Sequence, residues 1–207
     1  AQGGASEVYG MTYAEARRDL RFWLLLLSVM IITGCCASVV QQLASYVSDI
    51  GYSYEVSAMV SSCSLGLMAV GKLLTGRMYD KLGVRTSTLI CMACVIGGIG
   101  ILSMAASGVA FIGVFLVLFG VGCALTTVAY PILTTALFGN RDYSSIYGIV
   151  NVANSVGTAV GSPIAAAIFD SQGSYVPAWY LAAALLCVDF VVLLIMFRKK
   201  PAAEAVH

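Results

Sequence analysis

One carboxylate, Asp189, lies in the middle of a long apolar stretch near the end of the chain, in the sequence LLCVDFVV. An acidic side chain at the centre of a bilayer costs about 2.5–3.5 kcal/mol on insertion scales, so it is a functional candidate by default. Proton binding is the chemistry that such a residue could perform. The alternative is a structural role, as a buried neutral carboxyl or as a contact with a neighbouring copy of the chain.

Other polar side chains recur at helical spacing within three apolar segments. The sets are Ser38, Gln41 and Ser45, with Gln42 beside them; Thr127, Tyr130 and Thr134, next to Pro131; and Tyr147, Asn151, Asn154 and Thr158. Because residues three or four apart share a helix face, each set forms a stripe. Polar groups are costly against lipid, so the stripes are expected to face protein or water. Contact with a small molecule and hydrogen bonding between helices, typically about 0.6 kcal/mol per bond, remain the two explanations.

The sequence offers little for enzymatic chemistry. Its one histidine is the last residue, His207, so no serine within an apolar segment has a histidine partner and a histidine-containing metal site is not expected. All seven cysteines fall in apolar segments, which favours packing over disulfides. We therefore expect no enzyme, no metal, no cofactor and no nucleic-acid partner.

Composition indicates what must position these side chains. Of 207 residues, 60% are hydrophobic and 10% charged, and the mean hydropathy is +0.93. A soluble domain has about 25% charged residues. Six segments reach the roughly 20 residues that a spanning helix needs: 22–46, 54–75, 87–106, 109–136, 144–169 and 178–197. The sequence predicts an all-α membrane protein with six transmembrane helices in 22–197, after a linker with a short amphipathic helix in 1–21 and before a tail in 198–207.

Lysine and arginine predict the orientation of these helices, because both accumulate on the cytoplasmic side of membranes. All 11 lie before the first segment, in or next to alternate connections, or after the sixth segment, and Lys72 is close to the end of the second segment. The remaining connections contain Asp49, Glu55 and Asp170 and no cation. This alternation predicts a multi-pass protein of the plasma membrane, such as a bacterial inner membrane, with both termini in the cytoplasm.

The connection GRMYDKLGVR joins the second and third segments, and its two glycines predict a tight turn. The residues of interest in it are Gly76, Arg77, Asp80, Lys81, Gly83 and Arg85. A shift of the chain by 90 residues places Gly71 on Gly161, Asp80 on Asp170 and Gly83 on Gly173. Since each copy has three segments, the two copies would insert in opposite directions. Inverted repeats of this kind recur in secondary transporters.

This connection, together with six apolar segments and the cation pattern, resembles the major facilitator superfamily. The stretches MTYAEARRDLRFW, LFGNRDYSSIYG and IFDSQGSY resemble the C-terminal half of its oxalate/formate-antiporter and monocarboxylate-porter branch. The resemblance implies two inverted three-helix repeats, which form helices seven to twelve of a twelve-helix transporter. It also implies an N-terminal six-helix half as partner, and a small organic solute, such as a mono- or dicarboxylate, as substrate.

The resemblance implies roles for particular residues. Asp80 matches an aspartate that latches the cytoplasmic gate through a helix N-terminus of the opposite half, although Val84 stands where a basic residue is common. The cavity-lining candidates are Ser38, Gln41, Gln42, Thr127, Tyr130, Thr134, Asn151 and Asn154. The mechanical candidates of the fifth helix, for packing and kinking, are Gly148, Gly157, Gly161 and Pro163.

No lysine or arginine lies in the middle of an apolar segment, so the counter-charge for a carboxylate would come from the other half. Symport and antiport both remain open. The alternatives are a complete small homodimeric porter and a membrane scaffold or channel subunit. A homodimer of the isolated chain is also expected, because its cavity face would otherwise lack a partner in the lipid bilayer.

Overall fold

The computed structural model describes residues 9–198, and these residues form helices joined by short turns. The predicted tail lies outside the described residues from position 199 onward. In chain order the helices are α1 (Tyr13–Ala16), α2 (Leu20–Asp49), α3 (Tyr54–Leu102), α4 (Val109–Gly122), α5 (Tyr130–Phe138), α6 (Tyr143–Gln172) and α7 (Val176–Arg198). A 3₁₀ turn, Ala105–Ser107, precedes α4, and a π-helical turn, Leu125–Ala129, joins α4 to α5.

Within residues 9–198, five continuous helical stretches are long and apolar enough to cross a membrane, and one of them, α3, supplies two crossings. Its helical conformation is interrupted at Gly83, where φ is 77° and ψ is 168°. The Tyr79 and Thr88 hydroxyl oxygens, on either side of this glycine, are 2.8 Å apart. In a straight helix nine residues span about 13 Å, so α3 folds back on itself as a hairpin. The predicted six-helix, all-α fold is confirmed.

The connection within α3 is shorter than the sequence predicts. Hydropathy places the loop at about 76–86, whereas the helix runs to Leu82 and resumes at Val84. The charged residues of this stretch end the apolar segment without ending the helix, because helices continue readily into the polar region beyond the hydrocarbon. Gly83 alone makes the turn, and its positive φ is a conformation that side chains disfavour.

The fourth crossing, Val109–Phe138, changes its helical winding in front of Pro131. Proline has no N–H to donate to the carbonyl four residues earlier and its ring crowds that carbonyl. The π-helical turn Leu125–Ala129 accommodates this local loss of hydrogen bonding. The irregular turn places Thr126 and Thr127 beside α2 and α3, at the site described below.

Two close helix crossings show the internal symmetry of the molecule. Gly71 in the second crossing packs against the backbone of Gly120 in the fourth, and Gly161 in the fifth packs against the backbone of Gly34 in the first. A Cβ atom on Gly71 or Gly161 would overlap the facing carbonyl oxygen. The 90-residue shift that pairs Gly71 with Gly161 also places the first crossing on the fourth and the second on the fifth. It therefore converts one close crossing into the other. Each repeat therefore supplies one helix to each close crossing.

A short strap fastens the segment before α2 to the connection between α5 and α6. The Met11 N–H donates to the Phe138 carbonyl oxygen at 2.8 Å, and the Asn140 N–H donates to the Tyr9 carbonyl oxygen at 2.9 Å. Gly10 and Gly139 face each other in this bridge, and both have positive φ. The strap, residues 9–13 and 138–142, thus links two predicted cytoplasmic segments.

Helix α1 follows directly on the strap and is fixed by a capping box. The Thr12 N–H donates to Glu15 Oε2 at 2.7 Å, while the Glu15 N–H donates to Thr12 Oγ1 at 3.4 Å. Hydrogen bonds from the backbone N–H and the side chain of Thr12 to the Glu15 carboxyl lower its pKa below the usual value. The folded chain therefore favours the charged carboxyl. The resulting contribution to the free energy of unfolding is present above the usual pKa and is lost as the pH falls through the lowered pKa. The Tyr13 N–H also donates to Asp142 Oδ2 at 2.9 Å.

Candidate functional site

A cavity of about 310 Å³ lies between α2, α3, the π-helical turn and α6. Its wall mixes hydroxyl, amide, sulfur and apolar groups, and no lysine, arginine or carboxylate lines it in the described part of the chain. The lining residues are Thr33, Cys36, Ala37, Val40, Gln41, Met68, Cys123, Thr126, Thr127, Asn154 and Thr158. Such a wall can hydrogen-bond a small polar solute but cannot neutralise an anion.

Three side chains from different crossings are joined at the wall of this cavity. The Thr33 hydroxyl donates to Asn154 Oδ1 at 2.8 Å, and it lies 2.8 Å from the Tyr130 hydroxyl. Because a hydroxyl has one hydrogen, Thr33 accepts from Tyr130 when it donates to Asn154. This chain ties the first, fourth and fifth crossings together at the cavity.

The structure distributes the predicted cavity residues over several environments. Gln41, Thr127 and Asn154 line the cavity, and Tyr130 lies directly behind Thr33. Asn151, one turn before Asn154 on α6, is exposed. Gln41, Thr127 and Asn154 thus lie at one wall with Tyr130 behind it, whereas Asn151 is not among the lining residues.

The other predicted cavity residues lie elsewhere. Ser38 is buried, donates to the Cys35 carbonyl oxygen at 2.8 Å, and borders an apolar groove between α2, α6 and α7. Thr134 is buried and donates to the Tyr130 carbonyl oxygen at 2.8 Å. Gln42 donates to Ser162 and accepts from Tyr175, each at 3.2 Å, and so joins α2 to α6 and to the start of α7.

Sequence reasoning missed several residues of the wall. One of them, Thr33, is polar and hydrogen-bonds to Tyr130 of α5 and Asn154 of α6. Cys36, Met68 and Cys123 contribute sulfur atoms to the wall. The sequence does contain a signal for Thr33, because Thr33, Ala37 and Gln41 follow at i, i+4 and i+8 and so share one helix face. Apolar and sulfur-containing residues carry no such signal in an apolar helix.

The predicted gating residues lie at the turn of α3. Arg77, Asp80, Lys81 and Arg85 are all exposed, and within residues 9–198 no hydrogen bond or ion pair holds the Asp80 side chain. Gly76 lies inside the helix, and a Cβ atom on it would meet nothing within 4 Å. The turn is supported from below by Tyr79, whose hydroxyl contacts Thr88. Asp80 is therefore available to a partner outside the described residues.

The predicted mechanical residues of α6 behave differently from one another. Gly157 and Gly161 pack on the α2 backbone at Met30 and Gly34, whereas Gly148 has nothing within 4 Å of an added Cβ atom. Pro163 is exposed within a helix that continues on both sides. The close contact of α6 with α2 thus depends on two of the four residues.

Asp189 lies inside the six-helix bundle rather than toward lipid. It is fully buried, and its Oδ1 atom accepts a hydrogen bond from the Ser28 hydroxyl of α2. Its Oδ2 atom is buried without a hydrogen-bond partner among the described residues. The carboxyl therefore links α7 to α2 and is separated from the cavity by α2.

A family model now identifies this arrangement. Residues 22–207 match the model described as Major Facilitator Superfamily. The chain belongs to the major facilitator superfamily. Members of this family are membrane transporters rather than enzymes.

Comparisons with individual proteins agree with this assignment. The chain is 24% identical to human monocarboxylate transporter 12 over 163 residues, which are 77% of this chain and 32% of that protein. The rat protein of the same name is also 24% identical over 163 residues, and the match covers 34% of its length. The chain thus spans about a third of the curated relatives that it matches.

Solved structures show the same fold. FucP, the fucose:proton symporter of E. coli, superposes in its outward conformation with a TM-score of 0.70 and 14% identity, over 89% of this chain and 45% of FucP. A bacterial homologue of the human lysosomal transporter Spinster gives a TM-score of 0.50 at 15% identity, over 93% of this chain and 51% of that protein. The described helices therefore correspond to about half of the transporter fold, and the protein is a multi-pass membrane protein.

Proposed function

We propose that this chain is the C-terminal six-helix half of a secondary active transporter, which moves a small organic solute by alternating access. The observation that carries the proposal is the cavity of about 310 Å³, whose wall combines polar and apolar side chains from helices of both repeats. In this fold the substrate site lies near the membrane midplane at the interface between repeats. An N-terminal half would supply the facing wall.

The charge of the cavity wall restricts how a carboxylate would bind. Gln41, Thr127 and Asn154 provide amide and hydroxyl groups, which hydrogen-bond a carboxylate but leave its charge uncompensated. The relatives named monocarboxylate transporter 12 support a monocarboxylate among the mono- and dicarboxylates that we consider as substrates. The positive counter-charge is then assigned to the N-terminal half.

The proposal also includes an orientation in the membrane and a cytoplasmic gate. The cation distribution supports a plasma-membrane protein with both termini in the cytoplasm. Asp80 is exposed at the predicted cytoplasmic end, where it can interact with a helix N-terminus of the facing half. Such a contact would hold the cytoplasmic side closed until the halves rearrange.

The test compares this chain with the full-length transporter in proteoliposomes, with radiolabelled lactate and oxalate as probes. We expect saturable uptake of at least one probe by the full-length protein and none by the 207-residue chain, because six helices provide one wall of the cavity. Saturable uptake by the chain alone would replace the proposal with a complete homodimeric porter. Non-saturable flux of both probes would indicate a channel.

A further inference from the structure

The environment of Asp189 is unusual because an acidic group is enclosed without a basic one. The titratable groups that face it are the Cys35 thiol on α2 and the Tyr130 phenol on α5. Helices α3 and α6 also pack against α7, but in the described chain neither brings a charged group toward the carboxyl. Without a cation, the ionised form of a buried carboxyl is costly.

Ser28 allows this carboxyl to exist in two protonation states. The Ser28 hydroxyl can donate to Oδ1 both when the carboxyl is ionised and when it carries a proton on Oδ2. The Oδ2 atom, which is buried without a described partner, leaves a position at which a proton can bind. A purely structural helix contact would not require the second oxygen to remain unpartnered.

Two hydroxyl groups, those of Thr33 and Tyr130, extend from the cavity wall toward the part of α2 that carries Ser28. At the cavity, Asn154 accepts from Thr33, and Thr33 contacts the Tyr130 hydroxyl. The Tyr130 hydroxyl is also 3.5 Å from the Val29 carbonyl oxygen, one residue from Ser28 on the same helix. Tyr130 therefore reaches from the cavity wall to the α2 backbone next to Ser28, and it is almost fully buried.

From this geometry we infer that Asp189 binds and releases a proton during the transport cycle, and that Tyr130 and Thr33 connect it to the cavity. The inference rests on the proposed transport function. A proton from cavity water forms an O–H bond on the Asp189 carboxylate, and the same bond breaks when the proton returns. No other bond changes and no electron is transferred.

Infrared spectroscopy of the full-length transporter tests the inference without any substrate. The neutral acid has a C=O stretching band that ionisation removes, so a pH titration measures its protonation directly. We expect a titrating band that is lost in Asp189→Asn and that moves to higher frequency in Ser28→Ala, because the serine hydroxyl is bonded to this carboxyl. The second variant keeps the assignment testable if Asp189→Asn fails to fold.

The route to the cavity is tested by the rate at which this band shifts after transfer to D₂O. We expect Tyr130→Phe to slow the exchange at least tenfold, because it removes the central hydroxyl. Tyr180→Phe is the matched control: it makes the same change on an exposed side chain of α7, and we expect the wild-type rate.

Two results would overturn the inference. One is the absence of any titrating band that responds to both Asp189→Asn and Ser28→Ala. The other is an exchange rate in Tyr130→Phe equal to that of the wild type. Since neither measurement involves uptake, a failure here is distinguishable from a failure of the proposed transport of lactate or oxalate.

Discussion

At the scale of single residues, Asp80 is a carboxylate with no described partner in its own half of the fold. We predict that Asp80→Ala in the full-length transporter reduces the uptake rate at least tenfold, because the predicted contact with a helix N-terminus of the other half is lost. Membrane insertion and abundance should be unchanged, since the side chain is exposed. Asp49→Ala, an exposed carboxylate at the opposite end of the bundle, is the control. Normal uptake at normal abundance would leave Asp80 with a role in topology alone.

How far single residues can be predicted depends on the information that helical spacing contains. Spacing correctly groups polar residues into stripes, but it does not define which neighbour each stripe faces. Gln41 faces the cavity, whereas Ser38, three residues earlier, turns toward α6 and α7. Thr33 was missed because its importance arises from Tyr130 and Asn154, which are about 100 residues or more away in the chain.

At the scale of helices, the crossing of α6 on α2 depends on the absence of a side chain at Gly161. We predict that Gly161→Ala destabilises the protein by about 1–3 kcal/mol, the usual range for overpacking, because the new Cβ atom overlaps the Gly34 carbonyl oxygen. Gly148→Ala is the matched control on the same helix, with open space at the Cβ position, and alanine favours the helix there by about 0.5–1 kcal/mol. Thermal unfolding in detergent measures both. Equal melting temperatures of the two variants would contradict the predicted role of the contact.

The strap is a second contact between elements that can be tested. We predict that Gly139→Val opens it, because valine disfavours the positive φ of 80° and its Cβ atom would overlap the Tyr9 carbonyl oxygen. Hydrogen exchange should then accelerate together at the amides of Met11 and Asn140. Gly51→Val introduces similar strain at a φ of 98° where nothing lies within 4 Å, so the strap amides should keep their protection. Unchanged exchange in Gly139→Val would show that the strap does not depend on this glycine.

Helix number could be predicted from the sequence more reliably than helix ends or contacts. Apolar length is a local property, so all six crossings are evident in the sequence. The turn at Gly83 was predicted as a loop over about residues 76–86 because hydropathy reports the edge of the apolar segment rather than the last hydrogen-bonded residue. The strap was not predicted at all, because its bonds are mostly between backbone groups and leave little trace in residue type.

At the scale of the whole molecule, the cations predict how the bundle lies in the membrane. In a cysteine-free variant of the full-length transporter, we predict that Ile50→Cys is labelled by an impermeant maleimide added to intact cells. Lys200→Cys should react only after the cells are made permeable, because it lies in the predicted cytoplasmic tail. A variant in which Arg77, Lys81 and Arg85 are replaced by glutamine has three fewer of the cations that predict the orientation, and its labelling pattern is compared with that of the parent protein. Ready external labelling at position 200 would reverse the assigned orientation.

The strap also has a consequence for the order in which the protein is made. Tyr9 and Asn140 are 131 residues apart, so the ribosome must add these residues before the strap can close. At about 5–20 residues per second this takes roughly 7–26 s. By then the residues of the first four crossings have been added, and the first crossing still awaits its principal partner, α6. The first crossing therefore has to remain in the bilayer without its main packing partner until α6, Tyr143–Gln172, has been added.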